Sequence, residues 1–170
     1  MLKIIYILKP FFEDNYRRIN VREYARLQKI SPPTASKILE QMHKEKLLKK
    51  ETERLYIYYC ANKDSDLLID LSRIYWKGQL EKVGLLELIE QELLNPVVIL
   101  FGSLSKAEAK KDSDTDLAIF SPTKKILSIE KYEKLLKRKI QLFRFTKREE
   151  VENINLLNNI LNGYVIKGSF

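Results

Sequence analysis

The sequence predicts an α/β protein of the α+β kind, built from two unlike parts. Three observations carry this. Residues 2–44 repeat a helical spacing of apolar side chains three times, and a basic, tyrosine-bearing stretch with strand character follows. Residues 97–120 read VVILFGSLSKAEAKKDSDTDLAIF, two apolar runs separated by a polar turn and connection. Charge is uneven: residues 1–78 carry 16 Lys and Arg against 10 Asp and Glu, net +6, while residues 79–170 carry 15 against 13, net +2. The expected partition is residues 1–63, a linking helix over 64–78, and residues 79–170.

The elements follow in order. A first helix is expected from about Leu2 to Phe12, bent at Pro10. A second opens at Asn20 with Glu23 three residues on, an Asn-led capping box, and carries Val21, Tyr24, Ala25 and Leu27. A third opens Ser31-Pro32-Pro33-Thr34, a Ser cap with Pro at the first helical position. Its apolar positions Ala35, Ile38, Leu39 and Met42 follow the i, i+3, i+4, i+7 rule. Lys49 and Lys50 come next, then a polar turn at Glu51–Glu53, Arg54, and a strand over Leu55–Cys60. Cys60 and the tyrosines 56, 58 and 59 are expected to pack. His43, the one histidine, is expected to be solvated.

The pattern VREYAR…ISPPTASKILEQM…LLKK, across roughly residues 2–62, resembles a winged helix-turn-helix domain. Lys46 stands where that family commonly has Gly before the double Leu. The resemblance implies that the third helix enters the DNA major groove. Thr34, Ser36, Lys37 and Gln41 would face base edges, and Lys49, Lys50 and Arg54 on the wing would meet phosphates.

Asp64 is expected to cap a helix running to Trp76 and ended by Lys77-Gly78. A helix over Gln79–Leu94 then leads through Asn95-Pro96 into the apolar run Val97–Phe101. That run ends in Gly102-Ser103. Asp114 and Asp116 open the next run, two residues apart and so able to share one face of a strand. Ser121-Pro122 turns the chain, a helix follows at about Ser128–Lys137, and a third strand is expected at Lys139–Thr146.

The Gly-Ser turn followed by Ser-Asp-x-Asp-Leu resembles the minimal nucleotidyltransferases of the polymerase-β superfamily. Gly102, Ser103, Ser113, Asp114, Asp116 and Leu117 match; Lys106 stands where Arg is usual and Ala107 where Gly is usual. The ending, NLLNNILNGYVIKGSF, resembles that family's last helix and tail. The fold expected is thus an N-terminal winged helix-turn-helix plus a C-terminal nucleotidyltransferase-type mixed sheet with flanking helices. The resemblance implies a nucleoside triphosphate (NTP) as substrate or ligand and Mg²⁺ as cofactor. Asp114 and Asp116 would be the catalytic and metal-binding carboxylates, and Gly102, Ser103 and Lys106 the nucleotide-binding residues. The chemistry suits the residue types: hard oxygens hold Mg²⁺, Gly lets backbone approach a phosphate, and Lys supplies a point charge.

The family places a third carboxylate on a later strand, and the position expected to hold it carries Gln141. Glu149, Glu150 and Glu152 are alternative sources, although acidic residues at a solvated helix start are the better account of them. Two functional readings follow. One is a DNA-binding protein whose second domain binds NTP–Mg²⁺ and transfers a nucleotidyl group to a protein or nucleic-acid acceptor. The other is a DNA-binding regulator whose transferase fold does not turn over, with an antitoxin-like modifier of a partner protein as a further variant. A formal charge of +8 and a pI of about 9.4 suit a polyanionic partner. One cysteine excludes an internal disulfide. No apolar run approaches a membrane span and no targeting segment is evident, so a cytoplasmic protein is expected, with a homodimer within the habits of winged helices.

Overall fold

Seven α-helices and two β-sheets, an α+β composition, build the described residues, 3–169, of a computed structural model. The chain divides into two compact units, residues 1–72 with 107–111, and residues 73–106 with 112–170.

In the first unit, α1 (Lys3–Glu13) carries Pro10 inside the helix; the expected start at Leu2 lies outside the described residues. A two-residue strand β1 (Ile19–Asn20) follows, then α2 (Val21–Gln28) and α3 (Pro32–Lys44). The caps are the expected ones. Asn20 Oδ1 accepts the Glu23 N–H at 2.9 Å, and Ser31 Oγ accepts the Thr34 N–H at 3.3 Å. The Glu23 carboxylate takes Arg17 Nη2 at 2.7 Å. Strands β2 (Leu48–Glu53) and β3 (Tyr56–Ala61) form an antiparallel hairpin, and β1 joins the free edge of β3, giving the sheet order β1-β3-β2.

Several local expectations are corrected here. Glu51–Glu53 are strand, not turn: they pair with Tyr56–Tyr58, and the turn is Arg54-Leu55, with Arg54 at φ 54°. Arg18 stabilises the strand by bonding Glu51 at 2.8 Å and Glu53 at 2.9 Å. Cys60 is half-buried rather than core. Its Sγ lies 3.4 Å from Glu51 Oε1, and burial first, then this carboxylate, push the thiol up to about 11. Tyr59 packs fully while Tyr56 is exposed. His43 is not simply solvated: its Nδ1 donates to the Leu48 carbonyl at 3.0 Å, closing the turn in which Lys46 adopts φ 60°. Asn15, 2% exposed, is fully used: its backbone and side chain exchange two 2.8 Å bonds with Ala109, and its Nδ2 donates to the Phe11 carbonyl.

The linking helix is longer than expected. α4 spans Asp66–Lys82, continuing through Gly78, and the break falls at Gly84, φ 82°. Ser65 Oγ accepts the Leu68 N–H, while Asp64 pairs instead with Lys49 at 2.6 Å. Helix passes through Gly78 because Trp76 and Leu80, on either side, are both buried. A Cβ at Gly78 would meet nothing within 4 Å. Gly78→Ala is therefore expected to stabilise the protein by about 0.5–1 kcal/mol, read as a higher urea midpoint with unchanged slope.

In the second unit, α5 (Leu85–Glu92) is shorter than the Gln79–Leu94 helix expected. Strands β4 (Val97–Phe101), β5 (Thr115–Phe120), β6 (Ile140–Phe145) and β7 (Tyr164–Lys167) form one sheet in the order β6-β5-β4-β7. β4 runs antiparallel to β5 and β7, and β5 runs parallel to β6. Every residue of β4 is buried, as for a strand covered on both faces. One face packs Val97, Ile99, Phe101, Ala118 and Phe120 against Val151 and Ile160. α6 (Glu130–Leu136) connects β5 to β6, and α7 (Ile154–Leu161) precedes β7, a strand the sequence reading took for a tail. Glu149 and Glu150 lie in a single 3-10 turn rather than a helix.

Candidate functional site

The sheet register assembles the site. β4 and β5 are antiparallel with Phe101 opposite Asp116, so the C-terminal end of β4 meets the N-terminal end of β5. β6 is parallel to β5 with Gln141 opposite Asp116. Three separate chain segments (101–106, 113–116 and the more distant 138–141) therefore meet at one end of one sheet.

Gly102 begins a 3-10 turn, Gly102–Lys106, with φ 70°. A Cβ there would overlap Asp116 Oδ2 and lie 3.1 Å from Asp116 Cγ. The bare backbone of the turn thus lies directly against the carboxylate. Ser105 Oγ donates to the Gly102 carbonyl at 2.9 Å, and Arg73 Nε donates to the Ser105 carbonyl at 2.9 Å, so the turn is held from inside and from α4. Ser103 is half-buried at its start. Lys106, at its end, gives its Nζ to Asn159 Oδ1 at 3.0 Å, which directs the ammonium to α7. Ala107, where Gly is usual, adopts φ 53°.

Asp114 and Asp116 are both half-buried, with Thr115 buried between them. Burial first, then the charge of Asp114, raise the Asp116 carboxyl above the usual carboxylate range. Gln141 Nε2 donates to Asp114 Oδ2 at 2.5 Å. An ionised carboxylate only accepts, so the amide nitrogen, not its oxygen, faces Asp114. Arg138 Nη1 donates to the Ser113 carbonyl at 2.6 Å while its guanidinium lies 4.8 Å over the ring of Trp76, the one tryptophan. Arg73 and Arg138 position the two motif loops. Neither was singled out from sequence, where a lone Arg on a helix or before a strand carries no signal.

Glu150 Oε2 accepts the Thr146 N–H at 2.8 Å, at the opposite end of β6 from Gln141. Among the described residues no cluster of three or more His, Cys, Asp or Glu forms that could hold a metal ion. Glu149, Glu150 and Glu152 therefore do not replace the third carboxylate in this structure.

The candidate DNA-facing residues divide into two kinds. Thr34, Lys37 and Gln41 are exposed on α3, with Ser36 half-buried; Thr34 Oγ1 bonds Ser31 Oγ and Gln41 Nε2 donates to Glu45. On the hairpin Arg54 is exposed at the tip. Lys49 is engaged by Asp64, and Lys50 by Glu40, which also accepts the Tyr59 hydroxyl at 2.5 Å. Acids outside the hairpin, Asp64 and Glu40 of α3, thus engage both of its lysines.

Residues 85–168 match the family model described as polymerase beta, nucleotidyltransferase. This stretch is a nucleotidyltransferase-type domain, and it contains the Gly102–Lys106 turn, Asp114, Asp116 and Gln141, while Arg73 and Trp76 on α4 precede it. No curated protein and no solved structure matched the chain. Among the described residues no helix is long and apolar enough to cross a membrane.

Proposed function

We propose that residues 85–168 bind a nucleoside triphosphate with Mg²⁺ and transfer its nucleotidyl group to a protein or nucleic-acid acceptor, and that the N-terminal unit binds DNA. The observation that carries the first part is the contact of Gly102 with the Asp116 carboxylate, beside Asp114. A phosphate lying on the Gly102-Ser103 backbone would lie next to both acids. The residues fit a hard divalent cation. Two carboxylates at one strand end supply hard oxygens, and the like-charge tension at Asp116 is what a bound cation relieves. Asp114 and Asp116 would hold Mg²⁺, which supplies Lewis-acid stabilisation of the phosphoryl charge. Ser103 and the backbone N–H groups of its turn would donate to phosphate oxygens. In the transfer, an acceptor oxygen bonds to the α-phosphorus, the bond to pyrophosphate breaks, and the acceptor proton leaves to solvent, because neutral Gln141 takes none.

The bond from Gln141 to Asp114 favours a second reading, in which the nucleotide binds without turnover and acts as an effector of a DNA-binding regulator. One experiment separates them. The protein is incubated with α-labelled NTPs and Mg²⁺, alone and with nucleic-acid or protein acceptors, beside Asp114→Asn. Label transfer lost in Asp114→Asn supports the first reading; retained nucleotide without transfer selects the second. Absence of both in the wild type sinks the two together.

The DNA-binding part is supported by the order α1-β1-α2-α3-β2-β3, by the capped, exposed α3 and by the +6 of residues 1–78. Lys37→Ala is expected to weaken duplex binding and to reduce the salt dependence by about one unit of slope. Lys49→Ala is expected to do less, since Lys49 must first leave Asp64. Fluorescence anisotropy across a salt series reads both; an unchanged Lys37→Ala slope would remove Lys37 from the interface.

A further inference from the structure

The third position of the site holds an amide, and the structure shows what that amide does. Gln141 stands opposite Asp116 across β5 and β6, and its Nε2 donates to Asp114 Oδ2. It is therefore in the site and engaged with one of the two acids. We propose that Gln141 limits this site to a single divalent cation per bound nucleotide, so that the second cation of a two-ion arrangement has no place here. The inference rests on the nucleotide-binding reading above and fixes the metal stoichiometry of that same site.

The argument is one of charge and ligand type. Mg²⁺ and Mn²⁺ take hard oxygen ligands, and carboxylates are the protein's strong ones. A nucleotide's own phosphates bring one cation with them, and Asp114 and Asp116 are enough to receive it. A second cation beside the first must find anionic oxygen that the first has not used. Gln141 supplies none. Turned as it is, its amide presents N–H, which repels a cation. Turned over, it presents a neutral carbonyl oxygen and forfeits its bond to Asp114. Either way the second ion loses a full negative charge relative to an acid at 141. Nothing nearby compensates: Glu150 bonds at the far end of β6, and the described residues hold no third His, Cys, Asp or Glu in the cluster. Lys106 and Arg138 bring further positive charge to the two loops.

The test counts metal, not product. Wild type, Gln141→Asp, Gln141→Glu and Gln141→Ala are each titrated with Mn²⁺ in the presence of an α,β-methylene ATP analogue that cannot be cleaved at the transferred bond. Bound Mn²⁺ is read by electron paramagnetic resonance, and Mn–Mn coupling marks a second ion. The expected result is one Mn²⁺ per chain in wild type and Gln141→Ala, and two, with coupling, in Gln141→Asp or Gln141→Glu. The two acids differ in reach, so a poorly folded one leaves the other, and thermal melts identify it. Two coupled ions in wild type, or one ion in both folded acid variants, overturns the proposal and leaves nucleotide binding intact. Failure of every variant to retain the Mn²⁺-analogue complex overturns the nucleotide-binding reading and this proposal with it.

Discussion

Asp116→Asn is expected to melt higher than wild type at neutral pH and to lose Mg²⁺-dependent nucleotide binding. The two effects have one cause. The Asp116 carboxyl is raised by burial and then by the charge of Asp114. A carboxyl whose folded pKa lies above its unfolded one binds its proton more tightly when folded. It therefore costs stability wherever it is ionised, from the unfolded pKa upward, and the cost is complete above the folded pKa. Wild type should gain stability as pH falls into the range just above the ordinary carboxylate pKa, and Asp116→Asn should lack that part of the gain. For a chain of this size each kcal/mol relieved appears as about 2–4 °C in melting temperature. Differential scanning fluorimetry from pH 4.5 to 8 measures it; an asparagine variant that melts no higher at pH 7.5 contradicts the tension described.

Binding should move the other way. Outer-shell partners of metal ligands cost about 10–100-fold when removed, so a direct ligand should cost at least the upper end. Wild-type protein should be stabilised by Mg²⁺ with nucleotide, and Asp116→Asn should not. Trp76 offers a second readout, because Arg138 lies over its ring and holds the Ser113 carbonyl next to Asp114. Binding at Asp114 should change its fluorescence in wild type and leave Asp116→Asn unchanged.

What could be read from the sequence was what short-range physics fixes. The caps at Asn20 and Ser31 depend on residues three apart, and both bonds are present. Gly102, Ser103, Asp114 and Asp116 form a motif of fixed spacing, and the family resemblance pointed to Gln141 on a strand expected at Lys139–Thr146, which the structure sets opposite Asp116 across β5 and β6. What could not be read depended on partners distant in the chain. Glu51–Glu53 looked like a turn because nothing local showed that Arg18 would bind two of them. Lys49 and Lys50 looked like open phosphate contacts because Asp64 and Glu40 come 15 and 10 residues away. Gly78 looked like a helix end because Gly is a poor helix former, yet buried residues on either side carry the helix through it. The β7 strand was missed because its identity comes from pairing with β4.

Gly102→Ala should damage the site through two separable costs, and a double-mutant cycle distinguishes them. The first is conformational: Gly102 sits at φ 70°, where a residue with a Cβ costs about 1–2 kcal/mol. The second is a collision, since the new Cβ would overlap Asp116 Oδ2 and lie 3.1 Å from its Cγ. Asp116 must then turn out of its present position, at a cost of about 1–3 kcal/mol for overpacking. In an Asp116→Ala background no carboxylate remains to be struck, so Gly102→Ala should cost only the conformational part. The coupling between the two sites, measured by urea unfolding of the four proteins, should be about 1–3 kcal/mol, with the double variant less destabilised than the sum of the two single ones. Equal costs in both backgrounds would show that the turn and the carboxylate do not touch. Gly102→Ala should also weaken Mg²⁺–nucleotide binding, because the methyl occupies the approach to the turn and displaces the metal-facing acid together. A stable Gly102→Ala that still binds nucleotide normally would remove the turn from the phosphate site and leave Asp114 and Asp116 as an ordinary pair of acids at a strand end.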